Sequence, residues 1–540
     1  MPTLTGPQIG TNGNDTFLGE FSVFSEIPEG PSFPFGFGFK DATVTARGGD
    51  DSITGIAEVG VGASGGSASA TGFADSTVLG GNGADTVVAT GIGEARNATG
   101  QASGFGTSRS RIFTNDGDDV ITISGVSKAL VNTFGAGATG SFIDGGMDND
   151  TITIQYSVLD SVLENSGAEP AVATGSGVST STIRGRQGND TIDISANINL
   201  ERFSPVVGPV ESEATVRGTF EAPSISGNGG DDVLKVSAIA EAGQVTSTAL
   251  DKSRLLGDDG NDQIEITATG LGLSASTTAA LNNNSGIWAG SGDDVINISV
   301  NAASGGPISG TTDAFGLLNS RLDGGDGRDV VTLSVLGSST DSGSAVGAEK
   351  SKINLGDGDD TISVDVSGSG NASGVAVGFL GTNLRGGAGN DSITIQSSAS
   401  GEDSITGDAT GAKNARIEGD AGDDVIKIRA SFGFGNLDVE DVVLGGGAGN
   451  DIFDIGVGSA KVRGGADFDT AVLDFLDDSF PDDIDIFLAE TPDGLEITGN
   501  VDNTSFGTVS QPWKQRFSQV EAFEVDGVTY TAAEIISAFG

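Results

Sequence analysis

The sequence predicts an all-β fold, a right-handed parallel β-solenoid of about 14 coils of ~32 residues. Three observations predict it. A tract reading Gly-Gly-x-Gly-Asn/Asp-Asp recurs along the chain, as in Gly80-Gly81-Asn82-Gly83-Ala84-Asp85 and Gly386-Gly387-Ala388-Gly389-Asn390-Asp391. Behind the copies run short segments with Ile or Val at alternate positions, such as Val120-Ile121-Thr122-Ile123-Ser124. Ahead of many copies lies another short strand, and a stretch of small residues separates the two. A recurring period of this size means stacked units, each too small to bury a face alone.

Residues 1–45 come first and carry Phe21, Phe24, Phe33, Phe35, Phe37 and Phe39 among prolines and glycines. This segment is expected to cap the open end of the stack. An adhesive or assembly patch is the sharper alternative.

Residues 46–473 are expected to form the solenoid. The tract aligns on its last Asp at Asp15, Asp51, Asp85, Asp119, Asp150, Asp190, Asp232, Asp262, Asp294, Asp329, Asp360, Asp391, Asp424, Asp451 and Asp469. Each coil should hold about three strands: one after the motif, one before it, and a narrow one of Ala, Gly and Ser. Stacking them in parallel at ~4.8 Å would bury Ile, Val and Ala in a continuous core. The glycines allow turns at positive φ and let carbonyls approach an ion. A longer coil around Pro205–Pro209 reads as a surface loop.

Residues 474–540 lose the repeat and form a small β region with Trp513 and Tyr530 as aromatic anchors. Ala522-Phe523-Glu524-Val525 and Val528-Thr529-Tyr530 flank Asp526-Gly527 and predict a hairpin. Thr531 and Glu534 have the spacing of a capping box, so a short helix is expected to begin there.

The composition narrows the chemistry. With 75 acidic and 26 basic residues the net charge is −49, so nucleic acid and anionic membranes are repelled. There is no Cys and no His, which removes thiol and imidazole metal sites and leaves hard oxygen ligands. Calcium, which takes about 6–8 oxygens in adaptable geometry, is the matching cation. The first residues lack a basic start followed by an apolar run, so no secretory signal is expected. No stretch is apolar enough for a membrane helix.

The tract resembles the hemolysin-type (RTX) calcium-binding repeat, Gly-Gly-x-Gly-x-Asp-x-apolar-x, over roughly residues 10–475. The resemblance implies calcium ions held between stacked turns. The ligands would be the motif Asp side chains and loop carbonyls around Gly80, Asn82, Gly257, Gly324, Asp326, Gly386, Ala388, Gly419 and Gly446. It also implies type I export on a C-terminal signal and folding in extracellular calcium. The family's repeats usually run in tandem every nine residues. Here single motifs are spaced by a whole coil, so one calcium edge is expected. Several copies are degraded, with Asp148 and Asp467 in place of the fourth Gly.

No enzyme is expected. Gly62-Ala63-Ser64-Gly65-Gly66 matches a nucleophile-elbow string, but no His exists to act as base. The expected role is a secreted, calcium-loaded structural protein of a bacterial surface or matrix, an S-layer, filament or adhesion component. Its partners would be further copies or a surface glycan. A glycan-binding outer face is the alternative, and a polysaccharide-modifying enzyme a weaker one.

Overall fold

The structure, a computed structural model, describes residues 4–25, 34–62, 66–95, 100–129, 132–159, 172–200, 212–305, 310–401, 407–430, 437–473, 484–492, 494–502 and 510–539. Strand makes up 77% and helix 2%, which fixes the class as all-β. Phe33, Ala63-Ser64-Gly65 and the Pro205–Pro209 segment lie outside the described residues. The chain divides into two compact units. One is Met1–Ser291 with Ser304–Ile308; the other is Gly292–Ala303 with Ser309–Gly540.

Each unit stacks coils of three parallel strands in near-perfect register. In the first unit the strand behind the motif aligns Ile53, Val87, Ile121, Ile152, Ile192, Leu234 and Ile264, rung on rung. The strand ahead of the motif aligns Val44, Val78, Ile112, Ile143, Ile183, Ile225, Leu255 and Ile287. All of these side chains are buried. Period-two alternation put them on one face, and burying each contributes about 1.5–3 kcal/mol. The third side is narrow because its inward positions are Gly and Ala. At Gly175 an added Cβ would fall 1.7 Å from the Tyr156 ring, so the absent side chain makes room for the buried Tyr156.

The phenylalanines near the start join the stack as well as exposing some surface. Phe39 is fully buried and meets Phe73 edge-on, with centroids 5.2 Å apart, whereas Phe24 and Phe35 are exposed.

In the second unit Val331, Ile362, Ile393, Ile426, Phe453, Ala471 and Phe523 stack in the same manner. The fold amounts to about 11 turns, fewer than the about 14 expected. The coils tighten toward the C-terminal end. The motif spacing falls to 27 and then 18 residues, and two strands shrink to Ile452–Ile455 and Thr470–Val472.

The C-terminal region continues the stack and then covers it. Ser510–Ser518 pairs parallel with Gly458–Ala466 on one edge and antiparallel with Gly494–Asp502 on the other. Ala522–Val525 lies parallel on Thr470–Val472 and forms the expected hairpin with Val528–Tyr530. The helix Ala532–Phe539 follows its capping box. Thr531 N–H donates to Glu534 Oε2 at 2.8 Å, and Glu534 N–H to Thr531 Oγ1 at 3.3 Å. Among the described residues no helix is long and apolar enough to cross a membrane.

Candidate functional site

The Gly-rich tract forms the turn between the strand ahead of the motif and the strand behind it. Two of its positions have positive φ, as at Gly81 (118°) and Gly83 (122°), where the chain must reverse tightly against the coil below. An added Cβ at Gly81 would fall 2.0 Å from the Arg47 carbonyl oxygen of the neighbouring coil. Successive turns therefore stack backbone on backbone.

This stacking carries the motif Asp side chains inward. Asp51, Asp85, Asp119, Asp150, Asp190, Asp232 and Asp262 are buried in the first unit. Asp294, Asp329, Asp360, Asp391, Asp424, Asp451 and Asp469 are buried in the second. Each carboxylate reaches back one coil. The main-chain N–H of Asp15 donates to Asp51 Oδ1 at 2.6 Å, that of Asp51 to Asp85 at 2.8 Å, and that of Asp85 to Asp119 at 2.6 Å. The same bond recurs from Asp119 to Asp150, Asp150 to Asp190, Asp190 to Asp232 and Asp232 to Asp262. In the second unit it runs from Asp294 to Asp329 and on through Asp360, Asp391, Asp424 and Asp451 to Asp469. Glu521 closes this ladder, its Oε2 accepting from Asp469 N–H at 2.9 Å.

A second ladder runs outside it with the opposite sense. The residue just before the motif Asp accepts from the following coil. Asp50 N–H donates to Asn14 Oδ1 at 2.9 Å, Asn149 N–H to Asp118 at 2.9 Å, and Asp423 N–H to Asn390 at 2.7 Å. The Asn/Asp-Asp pair of the motif thus ties each coil to both neighbours.

The second oxygen of the buried carboxylates has a different fate. Oδ2 of Asp51, Asp85, Asp119, Asp150, Asp190, Asp232, Asp329, Asp360, Asp391, Asp424, Asp451 and Asp469 is buried without a hydrogen-bond partner. It fills the space that the tract's Gly leaves five residues earlier. An added Cβ would meet it at 2.2 Å at Gly80, 2.1 Å at Gly257, 2.4 Å at Gly324, 2.1 Å at Gly386, 2.0 Å at Gly419 and 1.9 Å at Gly446. A carbonyl oxygen of the next coil faces the same point at several rungs, Ala289 O at 2.3 Å for Gly257 and Gly419 O at 2.6 Å for Gly386.

Burial penalises these charges. Desolvation pushes Asp85, Asp190 and Asp424 up to about 6, with repulsion from nearby aspartates adding to it at Asp85 and Asp424. Asp119, Asp232, Asp329, Asp391 and Asp451 rise to about 7, and Asp150 to about 8. Asp51, Asp360 and Asp469 are raised for the same reason.

The loop carbonyls are engaged in part. Those of Asn82, Asp326 and Ala388 accept main-chain N–H groups from Gly49, Gly292 and Gly358 at 2.8, 2.8 and 2.6 Å. Each keeps a second lone pair. Among the described residues no three acidic side chains form a metal-sized group. A rung therefore offers a motif carboxylate, its stacked neighbour and main-chain carbonyls. That set of hard oxygens, with one buried oxygen unsatisfied, fits calcium by donor chemistry.

Sequence reasoning placed the motif Asp residues but missed their inward direction, and it missed Glu521 altogether. The recurring Gly five positions ahead of the Asp was the available signal for burial. No glycine tract precedes Glu521, so nothing local marked it.

Comparison with known proteins finds no matching family model, no matching curated sequence and no matching solved structure. The fold itself, a β-solenoid of stacked coils, is compatible with an RTX-type repeat protein.

Proposed function

We propose that the chain is a secreted, calcium-loaded structural solenoid of the hemolysin-type repeat class, acting at a bacterial surface or in its matrix. The observation that carries this reading is the stack of buried carboxylates, twelve of which have one oxygen lacking a hydrogen-bond partner. Such a column is costly when ionised, because stacked carboxylates at ~4.8 Å repel in a medium of reduced dielectric. Calcium would neutralise that charge and cross-link adjacent coils. The motif Asp side chains and turn carbonyls would hold it.

Metal binding would then be coupled to folding, as in other metallo-domains. Extracellular calcium modules commonly bind at about 10⁻⁴–10⁻³ M, far above cytosolic levels. A chain tuned to that range would stay unfolded in the cell and fold outside. Type I export rests on the resemblance alone. A non-catalytic role is supported by the chemistry of the two tyrosines in a chain without His. Tyr156 is buried, its hydroxyl 3.2 Å from Ser127 Oγ, and burial raises it well out of the physiological range.

Far-UV circular dichroism with light scattering, in chelator and then across a calcium titration, tests the reading. Conversion from disorder to β-structure near millimolar calcium is expected, and a concurrent rise in scattering would mark self-assembly. A β-spectrum indifferent to calcium would reduce the Asp ladder to a hydrogen-bonding device and overturn the proposal.

A further inference from the structure

Three consecutive coils of the first unit break the glycine rule at the left-handed position four residues ahead of the motif Asp. In earlier coils Gly81 and Gly146 occupy it at φ of 118° and 122°, while Arg47 and Asn115 hold it singly at 86° and 76°. Arg186, Asn228 and Asp258 occupy it at 91°, 79° and 76°. A side chain there strains the backbone. These three are in register, Arg186 on Asn228 and Asn228 on Asp258, with Gly290 next. Strain repeated on adjacent rungs, each time projecting a polar group to one place, points to a use for that place.

The place is a groove of about 710 Å³ across the coils, lined by Arg184, Arg186, Asn228, Asp258, Asp259 and Ser291. Its polar groups are held by one another. Asn228 Nδ2 donates to Asp258 Oδ2 at 3.1 Å, Ser291 Oγ to Asp259 Oδ1 at 2.9 Å, and Arg186 is anchored on Asp144. Arg184 has no carboxylate partner among the described residues, and its guanidinium stands 5.4 Å from the Phe142 ring centre. Two residues back along the strands, the next outward row reads Arg184, Ser226, Leu256 and Trp288 in register. Leu256 and Trp288 are half-buried there, the indole approached by Arg254 at 5.9 Å. An apolar platform therefore borders a polar groove.

We infer that this groove binds a neutral polysaccharide chain. Guanidinium and amide donors on the Arg186 and Asn228 rungs adjoin carboxylate and hydroxyl acceptors on the Asp258 and Ser291 rungs, ~4.8 Å apart, which suits a polymer of repeated hydroxyl groups. The planar indole of Trp288, with apolar Leu256 beside it, suits the C–H face of a sugar ring. With Asp144 already paired to Arg186, Arg184 alone faces Asp258 and Asp259, and the groove is slightly negative. A polyanion would find no net attraction there and would face the repulsion of a chain at −49. The inference uses none of the motif Asp ladder and stands apart from the calcium reading.

Affinity electrophoresis tests it, with the full chain in calcium run through native gels containing soluble β-glucan, mannan, galactan or dextran, and alginate as the acidic probe. Retardation by at least one neutral polymer is expected, weakened tenfold or more in Arg184→Ala and in Trp288→Ala. Arg385→Ala, in the second unit, should bind as the parent does. Circular dichroism of each variant confirms that the fold is unchanged. Retardation by no neutral polymer, retardation by alginate alone, or binding that survives both groove variants overturns the inference.

Discussion

The motif Asp of a rung such as Asp391 performs two tasks that a single substitution can separate. Its Oδ1 accepts a main-chain N–H, and its Oδ2 lies buried and unmatched. Asp391→Asn keeps the acceptor and removes the charge, while the Gly419 carbonyl faces the new amide. In a high-calcium buffer this variant should melt below the parent, and in a low-calcium buffer it should be the first of the two to lose its transition. Differential scanning calorimetry in both buffers reads the difference.

The same burial sets a pH dependence for the metal-free protein. The folded values of Asp85, Asp119 and Asp150 lie near 6, 7 and 8, above the ordinary carboxylate value. A raised folded value means that the fold binds the proton more tightly. Stability is therefore fully present below about pH 4 and is lost as pH rises through 6 to 8. The slope is on the order of 1 kcal/mol per carboxylate per pH unit. In chelator, circular dichroism should therefore show β-structure near pH 5 that is lost by pH 8.

The glycine five residues ahead of the Asp is the third partner. Gly386→Ala would drive a methyl to 2.1 Å from Asp391 Oδ2 and should cost about 1–3 kcal/mol. Gly305→Ala meets nothing within 4 Å and serves as its control. At this scale the sequence was half legible. The repeated Asp stood out, but an Asp beside Gly and Asn also has the composition of a solvated turn. Only the neighbouring coil, remote in sequence, turns it inward.

At the scale of strands, most of the structure was readable in advance. Alternation at Val120–Ser124 and Thr191–Ser195 was enough, because an inward Ile must repeat every second residue on a pleated strand. The hairpin around Asp526-Gly527 and the capping box at Thr531 were likewise local signals with local causes. The number of turns was less readable, since motif spacing of 18 residues near Asp469 leaves a coil too short for three full strands. Glu521 was unreadable because its role is set by a partner 52 residues away. Its removal should matter only where the stack ends. Glu521→Ala leaves Asp469 N–H without its acceptor and should cost about 1–3 kcal/mol. Hydrogen exchange should show the faster opening confined to the coils around Thr470–Val472 and Ala522–Val525.

For the whole molecule, the dominant fact is charge. A chain at −49 gains stability from any cation that reaches its carboxylates, so salt and calcium must be told apart. Screening by monovalent salt acts on the exposed acids, whereas on the proposed reading the buried column would respond to an ion that sheds water and enters the turn stack. Chelator at constant ionic strength separates the two.

The two opposed ladders have one more consequence. Except where Ala84, Arg328 and Phe468 remove the outer acceptor, each interior coil offers its neighbours the same two acceptors and asks for the same two donors, so the structure is largely modular in sequence as well as in shape. Asp329 and Asp360 are 31 residues apart and equivalent in register. Excising residues 330–360 would join Asp329 to Thr361 with every side chain still on its own face. Excising one residue more or fewer would turn the following strand inside out. The first product should unfold cooperatively near the parent temperature and the second should not fold. Length in such a protein is then an integer, and a gene can lengthen or shorten it one coil at a time without redesigning anything between.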